Sequence, residues 1–370
     1  MNFSLKQTDS GSSARRGVLR TAHGDVQTPV FMPVGTAAAI KGTTAAQVEE
    51  TGAEIVLSNT YHLMLRPGVE TIEKLGGIHN VMAWEKPILT DSGGYQIFSL
   101  EALTKINDNG VEFSSHVDGK NFFIDAKIAT DLQNRIGADI IMCFDQCAPY
   151  PADEKVLLEA VERSIRWAGE CKEAHANPKQ MLFGIVQGGI DLELRSRCAK
   201  ELVDIGFDGY AIGGLSVGEG HEKMIRTVEH TAAILPEDKA RYLMGVGTPA
   251  DIIAAVRNGV DMFDCVLPTR NGRNAFAFTE EGPMRLRNSV HINDTGPIEE
   301  GCDCYCCQNY CRGALRHYFN VKEMLGPILV SLHNLRFYQR LMSAIRQKIE
   351  ADEFAGWSEE KLKKYKNLYH

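Results

Sequence analysis

Nowhere in the 370 residues does an apolar run approach the roughly 18 that a bilayer-crossing helix needs, so the pattern calls for no membrane. The first residues hold no apolar segment ahead of a small-residue cleavage site, so the expectation is a cytoplasmic protein with reduced thiols. Internal repeats, low-complexity tracts and flexible linkers are all missing, which argues for one decorated domain over residues 1–370. What is there is ordinary in bulk: 44% hydrophobic and 24% charged residues, the balance of a soluble globular chain.

Charge and cysteine are unevenly spread. The net charge is −8, yet residues 302–370 hold 11 Lys+Arg against 7 Asp+Glu. A basic end on an acidic body suits a docked polyanion, or Lys361, Lys363, Lys364 and Lys366 simply solvate a terminal helix. Five of the 10 cysteines lie between 302 and 311, in the run Cys302-Asp-Cys304-Tyr-Cys306-Cys307, and His333 follows. Three thiolates and an imidazole match a closed tetrahedral zinc site with no position for a substrate water. A disulfide knot is the rival reading, but Cys143, Cys147, Cys171, Cys198 and Cys265 are scattered.

Eight short apolar runs end on polar or glycine residues: VFMPVGT from Val30, EIVLSNT from Glu54, PILTDSGG from Pro87, DIIMCFDQ from Asp139, LFGIVQGG from Leu182, GYAIGGLS from Gly209, YLMGVGT from Tyr242 and MFDCVLPT from Met262. Such runs fit strands buried on both faces. Helical spacing fills most intervals, as in Val156, Leu157, Ala160, Val161, Ile165 and Ala168, and again from Leu192 to Leu202. The expected fold is therefore α/β, a (β/α)8 TIM barrel.

Three segments interrupt the alternation. Phe3 to Gln7 and Gly17 to Thr21 read as a hairpin over the barrel's N-terminal end. VEFSSHVDGKNFFI reads as a second hairpin, turning at Asp118-Gly119. AFAFTEEGPMRLRN reads as strand material leading into the cysteines, which gives a zinc-binding subdomain over about 276–335, inserted before the last barrel helix.

In such a barrel the polar residues that close the strands converge on one mouth. Here they are Asn59, Asp91, Asp145, Gln187, Gly213 with Gly214, Gly247 and Asp264. Paired carboxylates suit substitution at a sugar carbon, although each Asp also fits a helix cap or a partner for an arginine. Bare backbone at Gly93, Gly94, Gly213 and Gly214 lets a flat ligand lie against the chain, or a phosphate bind there. Asp145 and Gln187 together match the hydrogen-bonding edge of a guanine-like base, with Tyr95 and Met244 placed to sandwich its ring. Arg270 and Arg273, just after Asp264, suit phosphates or neutralise the carboxylate. A metal-dependent hydrolase is disfavoured, because no H-x-H occurs and His62 is the only histidine directly after a strand end.

Taken together, SNTYHLMLRPG from Ser58, DSGGYQ from Asp91, FDQC from Phe144, VQGG from Val186, GGLSVGE from Gly213, MGVGTP from Met244, FDCVLPTRNGRN from Phe263 and the C-x-C-x2-C…H set resemble bacterial tRNA-guanine transglycosylases, over nearly the whole chain. The resemblance implies exchange of the wobble guanine of tRNA with G-U-N anticodons for the deazaguanine preQ1, within queuosine biosynthesis. It makes Asp264 the nucleophile and Asp91 the general acid/base. It gives base recognition to Asp145, Gln187, Gly214 and Leu215, stacking to Tyr95 and Met244, assistance near the ribose to Ser92, and anticodon contacts to Arg270 and Arg273. It also implies one structural zinc on Cys302, Cys304, Cys307 and His333, and a homodimer. His317 is a rival ligand, but Leu332-His333-Asn334 reproduces the family's LHN. Gln146, Ala275 and Cys306 stand where Glu, Gly and Thr are common.

Overall fold

All eight apolar runs form strands, and they lie parallel. The computed structural model describes residues 2–100 and 104–369, the side chains of 99, 100 and 366–369 excepted, so Lys366 falls outside the described side chains. Three antiparallel strands open the chain, β1 (Phe3–Thr8), β2 (Arg15–Thr21) and β3 (Gly24–Thr28). Next come β4 (Val30–Met32), β5 (Val56–Asn59) and β6 (Ile88–Asp91), then a meander of β7 (Lys105–Asn107), β8 (Gly110–Ser114) and β9 (Asn121–Ile124). The parallel set resumes with β10 (Ile140–Met142), β11 (Met181–Val186), β12 (Gly209–Ile212), β13 (Ala240–Leu243) and β14 (Met262–Asp264), and a short pair follows, β15 (Phe276–Ala277) and β16 (Met284–Arg285).

The eight parallel strands neighbour one another in the order β4-β14-β13-β12-β11-β10-β6-β5. A parallel bridge between Val34 and Leu57, with Gly35 donating to the Leu57 carbonyl at 2.7 Å, joins the two ends into a barrel. The strands are almost wholly buried, as continuous apolar runs require, and the helices pack outside them.

The N-terminal sheet is a lid on the bottom of the barrel. Phe3, Leu19 and Val26 share one buried cluster with inward residues such as Met32, Leu89, Met142, Phe183 and Met262. Arg15 fixes the sheet through Asp261 at the start of β14, with Nη2 to Oδ2 at 2.5 Å and both side chains buried. The expected hairpin is thus a three-stranded sheet. Its third strand, GDVQT, has a single apolar residue, Val26, too weak an alternation to read as a strand. The expected hairpin after the third barrel strand likewise gains a partner, the exposed β7, and turns at Gly119 with φ +72.

Helix Glu154–Ala174 buries Ala160, Val161, Ser164, Trp167, Ala168 and Cys171. Val156, placed on that face by spacing, is 39% exposed because the first turn stands clear of the barrel. Helix Leu192–Ile205 starts where Asp191 accepts from the N–H groups of Glu193 and Leu194. Beyond β14, a separate apolar cluster gathers Ala277, Leu286, Ile298, Leu315 and Phe319 around Cys302, Cys304, Cys306 and Cys307. The helix Leu325–Glu350 passes beneath this cluster and packs on β4 and on the helix Leu267–Arg273. Of the strand-like stretch between 275 and 288, only β15 and β16 pair.

Candidate active site

Side chains from six strand ends open into one cavity of about 380 Å³, within the range of small-ligand sites. Asp91, Ser92, Tyr95, Asp145, Gln187, Gly214, Leu215, Met244, Asp264 and Arg270 all line it. Arg273, one turn beyond Arg270, does not, and its Nη1 is buried without a hydrogen-bond partner among the described residues.

Two carboxylates define the chemical end. Asp91 closes β6, and its oxygens accept from the Asn59 amide at 2.5 Å and the Thr60 N–H at 3.1 Å. Burial pushes its pKa up to about 7, the charge of Asp264 adding to the rise against those donors. Asp264 closes β14. Its Oδ1 accepts from the Tyr242 hydroxyl at 2.6 Å and the Gly245 N–H at 2.8 Å, while Oδ2 takes no hydrogen bond from the described residues. Burial raises this carboxyl too, opposed by the same two donors. One acid thus has both oxygens engaged and titrates near neutrality; the other keeps an oxygen free.

A second polar group, Asp145 with Gln187, lines the same cavity. Asp145 accepts from Gln187 Nε2 at 2.6 Å and from the Ser92 hydroxyl at 3.2 Å, and burial lifts its pKa to about 6. Ser92 lines the cavity beside Asp91 and gives its hydroxyl to Asp145. Gly214 has φ +65, and a Cβ there would come 2.2 Å from Gln187 Oε1, so only glycine leaves the amide its place. Met244 lines the cavity, and Tyr95 does so while 52% exposed.

Tyr242 and Gly245, which line the cavity, and Glu219, which braces its wall, are not legible from the sequence pattern. Tyr242 and Met244 differ by two, so the strand's period puts both on one face, and that was the available signal. Glu219 accepts from the N–H groups of Ser216, at 2.5 Å, and Val217, at 2.9 Å. It thereby holds Ser216 at φ +61, a left-handed conformation costly for a residue with a side chain.

At the cysteine cluster, Cys302, Cys304, Cys307 and His333 form a group able to hold a metal ion; Cys306, Cys311 and His317 are not in it. His333 Nδ1 lies 3.7, 3.6 and 3.3 Å from the three sulfurs, and its Nε2 faces the Phe278 carbonyl at 2.8 Å. A tetrahedral ion with bonds of about 2.3 Å to sulfur and about 2.0 Å to nitrogen separates those atoms by about 3.5 Å, so the donors fit. The carbonyl fixes the imidazole tautomer that leaves Nδ1 as ligand. His23, His79 and Asp139 form a second group, but the two rings stack at 3.7 Å, which prevents both lone pairs from meeting at one ion. Of the terminal lysines, Lys361 pairs with Glu280 and Lys364 with Glu281 at 2.8 Å, so these two hold the last helix against the turn between β15 and β16.

The fold and cavity define a barrel enzyme with paired carboxylates and a polar Asp145–Gln187 edge at the C-terminal mouth. The sequence pattern of the family described as queuine tRNA-ribosyltransferase matches residues 9–367. A queuine tRNA-ribosyltransferase of Halothermothrix orenii is 50% identical over 367 residues, covering 99% of this chain and 98% of its own. That of Caldanaerobacter subterraneus subsp. tengcongensis is 51% identical over 366 residues, with 99% and 98% covered, and that of Francisella tularensis subsp. novicida is 50% identical with 99% of each covered. The chain belongs to the queuine tRNA-ribosyltransferase family, a family of pentosyltransferases. No helix among the described residues is long and apolar enough to cross a membrane.

Proposed function

We propose that the protein is a tRNA-guanine transglycosylase of queuosine biosynthesis, exchanging the wobble guanine of tRNA for preQ1 by double displacement. The observation that carries this is the pairing, in one cavity, of two unlike carboxylates with the Asp145–Gln187 edge. Asp264 Oδ2 attacks the ribose C1′, the glycosidic bond breaks, and its electron pair leaves on the guanine nitrogen. Asp91, poised near neutrality, gives the departing base a proton and later takes one from the incoming base. The incoming nitrogen then displaces Asp264 from C1′, and two inversions retain the configuration. Asp145, Gln187 and the backbone at Gly214 and Leu215 bind the base edge, Tyr95 and Met244 flank the ring, and Ser92 steadies Asp145. Arg270 and Arg273 take anticodon phosphates of a G-U-N anticodon.

The ion at Cys302, Cys304, Cys307 and His333 is a structural zinc in this reading, since three thiolates and an imidazole suit that metal and leave no open position. Residues 276–335 then act as a unit that the zinc folds against the barrel. A homodimer is what the family resemblance implies, and the tRNA substrate supports a cytoplasmic location. The test is incubation of the protein with unmodified tRNA and labelled guanine. Incorporation by wild type and none by Asp264→Ala is expected; full incorporation by the variant would sink the glycosyl-transfer scheme. Competition of preQ1 with preQ0 in that assay settles the preferred base, preQ1 being expected.

A further inference from the structure

The turn after β11 is wrapped around a buried arginine. Arg195, on helix Leu192–Ile205, is 0% exposed. Its Nε donates to the Gly189 carbonyl and its Nη1 to the Val186 carbonyl, both at 2.8 Å, so the guanidinium brackets Gln187 on either side in sequence. Gly188 and Gly189 adopt φ values of +137 and +53, and a Cβ on Gly188 would come 2.9 Å from the backbone nitrogen of Arg195, so the turn packs directly on the helix that carries the arginine. On the same helix, Cys198 Sγ accepts the Gln187 N–H at 3.3 Å. The remaining donor, Arg195 Nη2, is buried with no hydrogen-bond partner among the described residues, and lies 3.6 Å from where a Gly214 Cβ would sit.

Fold stability does not explain this arginine. Among the described residues no carboxylate pairs with it, and a buried cation without an ion pair is costly where an aliphatic chain of similar volume is not. What a guanidinium supplies is a rigid planar fork that fixes two carbonyls at a set spacing. Those carbonyls flank the residue whose amide meets Asp145 at 2.6 Å. The third donor sits beneath the Gly213-Gly214 backbone that forms the other wall of the same site.

We propose that Arg195 is a positioning residue for base recognition: it holds the Gln187 amide and the Gly214 backbone in register with Asp145, and so sets affinity for the exchanged base without touching it. This rests on the transglycosylase reading above. The test is guanine exchange in Arg195→Met and Arg195→Lys, with the KM for guanine and the KM for tRNA measured separately. Misplacing one pocket hydrogen bond corresponds to about a tenfold change. The guanine KM in Arg195→Met should therefore rise about tenfold or more, and less in Arg195→Lys, while the tRNA KM and kcat at saturating guanine stay near wild type. An unchanged guanine KM in Arg195→Met overturns the proposal, as does a uniform fall in kcat and both affinities together with the melting temperature. If Arg195→Met does not fold, Arg195→Lys decides by the same split, checked by calorimetric guanine binding; failure of both to fold counts against the proposal. Wild type without exchange refutes the function itself, whereas active wild type with unchanged variants refutes only the role of Arg195.

Discussion

Replacing Asp91 by asparagine should abolish exchange and at the same time stabilise the fold above neutral pH. Burial and the neighbouring Asp264 lift the Asp91 carboxyl from 3.8 to about 7. At about 1.4 kcal/mol per unit, keeping it ionised in the folded protein costs up to about 4 kcal/mol, an upper bound since cavity water offsets part of it. Asparagine removes that charge, but turns an NH2 toward either the Asn59 amide or the Thr60 N–H, both of which now donate to the carboxylate. The lost hydrogen bond costs about 1–3 kcal/mol, so the net gain at pH 8 is about 1–3 kcal/mol. The pH dependence gives the sign. A carboxyl whose pKa is higher in the folded state binds protons more tightly there, so its contribution to stability is greatest below pH 3.8 and lost as pH rises through about 7. Wild type should therefore lose stability relative to D91N between pH 4 and 7, with the gap open at pH 8 and closed or reversed near pH 4. Denaturant titrations of both proteins across that range measure it. A variant less stable than wild type at pH 8, with no pH-dependent difference, would refute the picture of an acid held against burial.

Three further outcomes follow from the geometry. Tyr242→Phe removes the 2.6 Å donor to Asp264 and should lower kcat about tenfold with little change in tRNA affinity, read from steady-state exchange. Gly214→Ala places a methyl 2.2 Å from Gln187 Oε1 at a positive φ, so the guanine KM should rise at least about tenfold while Asp264 still forms a trappable adduct with tRNA. Chelation of the ion at Cys302, Cys304, Cys307 and His333 should cost folding and tRNA binding before chemistry, followed by melting curves and gel shift with elemental analysis for zinc. Exchange lost while fold and tRNA affinity survive would contradict the supporting role.

The eight strands, their parallel order and the Asp, Gln and Gly residues that end them were legible because buried parallel strands leave continuous apolar runs, and because a barrel sends every strand end to one mouth. The third strand of the N-terminal sheet was not, since GDVQT carries one apolar residue and pairs only because β2 offers it an edge. Nor was Tyr242 as the partner of Asp264, 22 residues away in sequence. Composition alone left the terminal lysines open between solvent and a polyanion; contact with Glu280 and Glu281 assigns Lys361 and Lys364 to the fold.

The sequence by itself determined the barrel and which carboxylates meet, for these depend on residue type and on periodicities carried along the chain, while the family was carried by the resemblance of its motifs. Only the tertiary structure decided how each carboxylate is made different: both oxygens of Asp91 engaged and its proton held to about 7, one oxygen of Asp264 left free, Asp145 tied to Gln187. The same packing placed Arg195 beneath the recognition edge with a donor unspent. The reason is that burial and hydrogen-bond donors from distant segments set proton affinity and side-chain aim, and neither is written in the local pattern around an aspartate or an arginine.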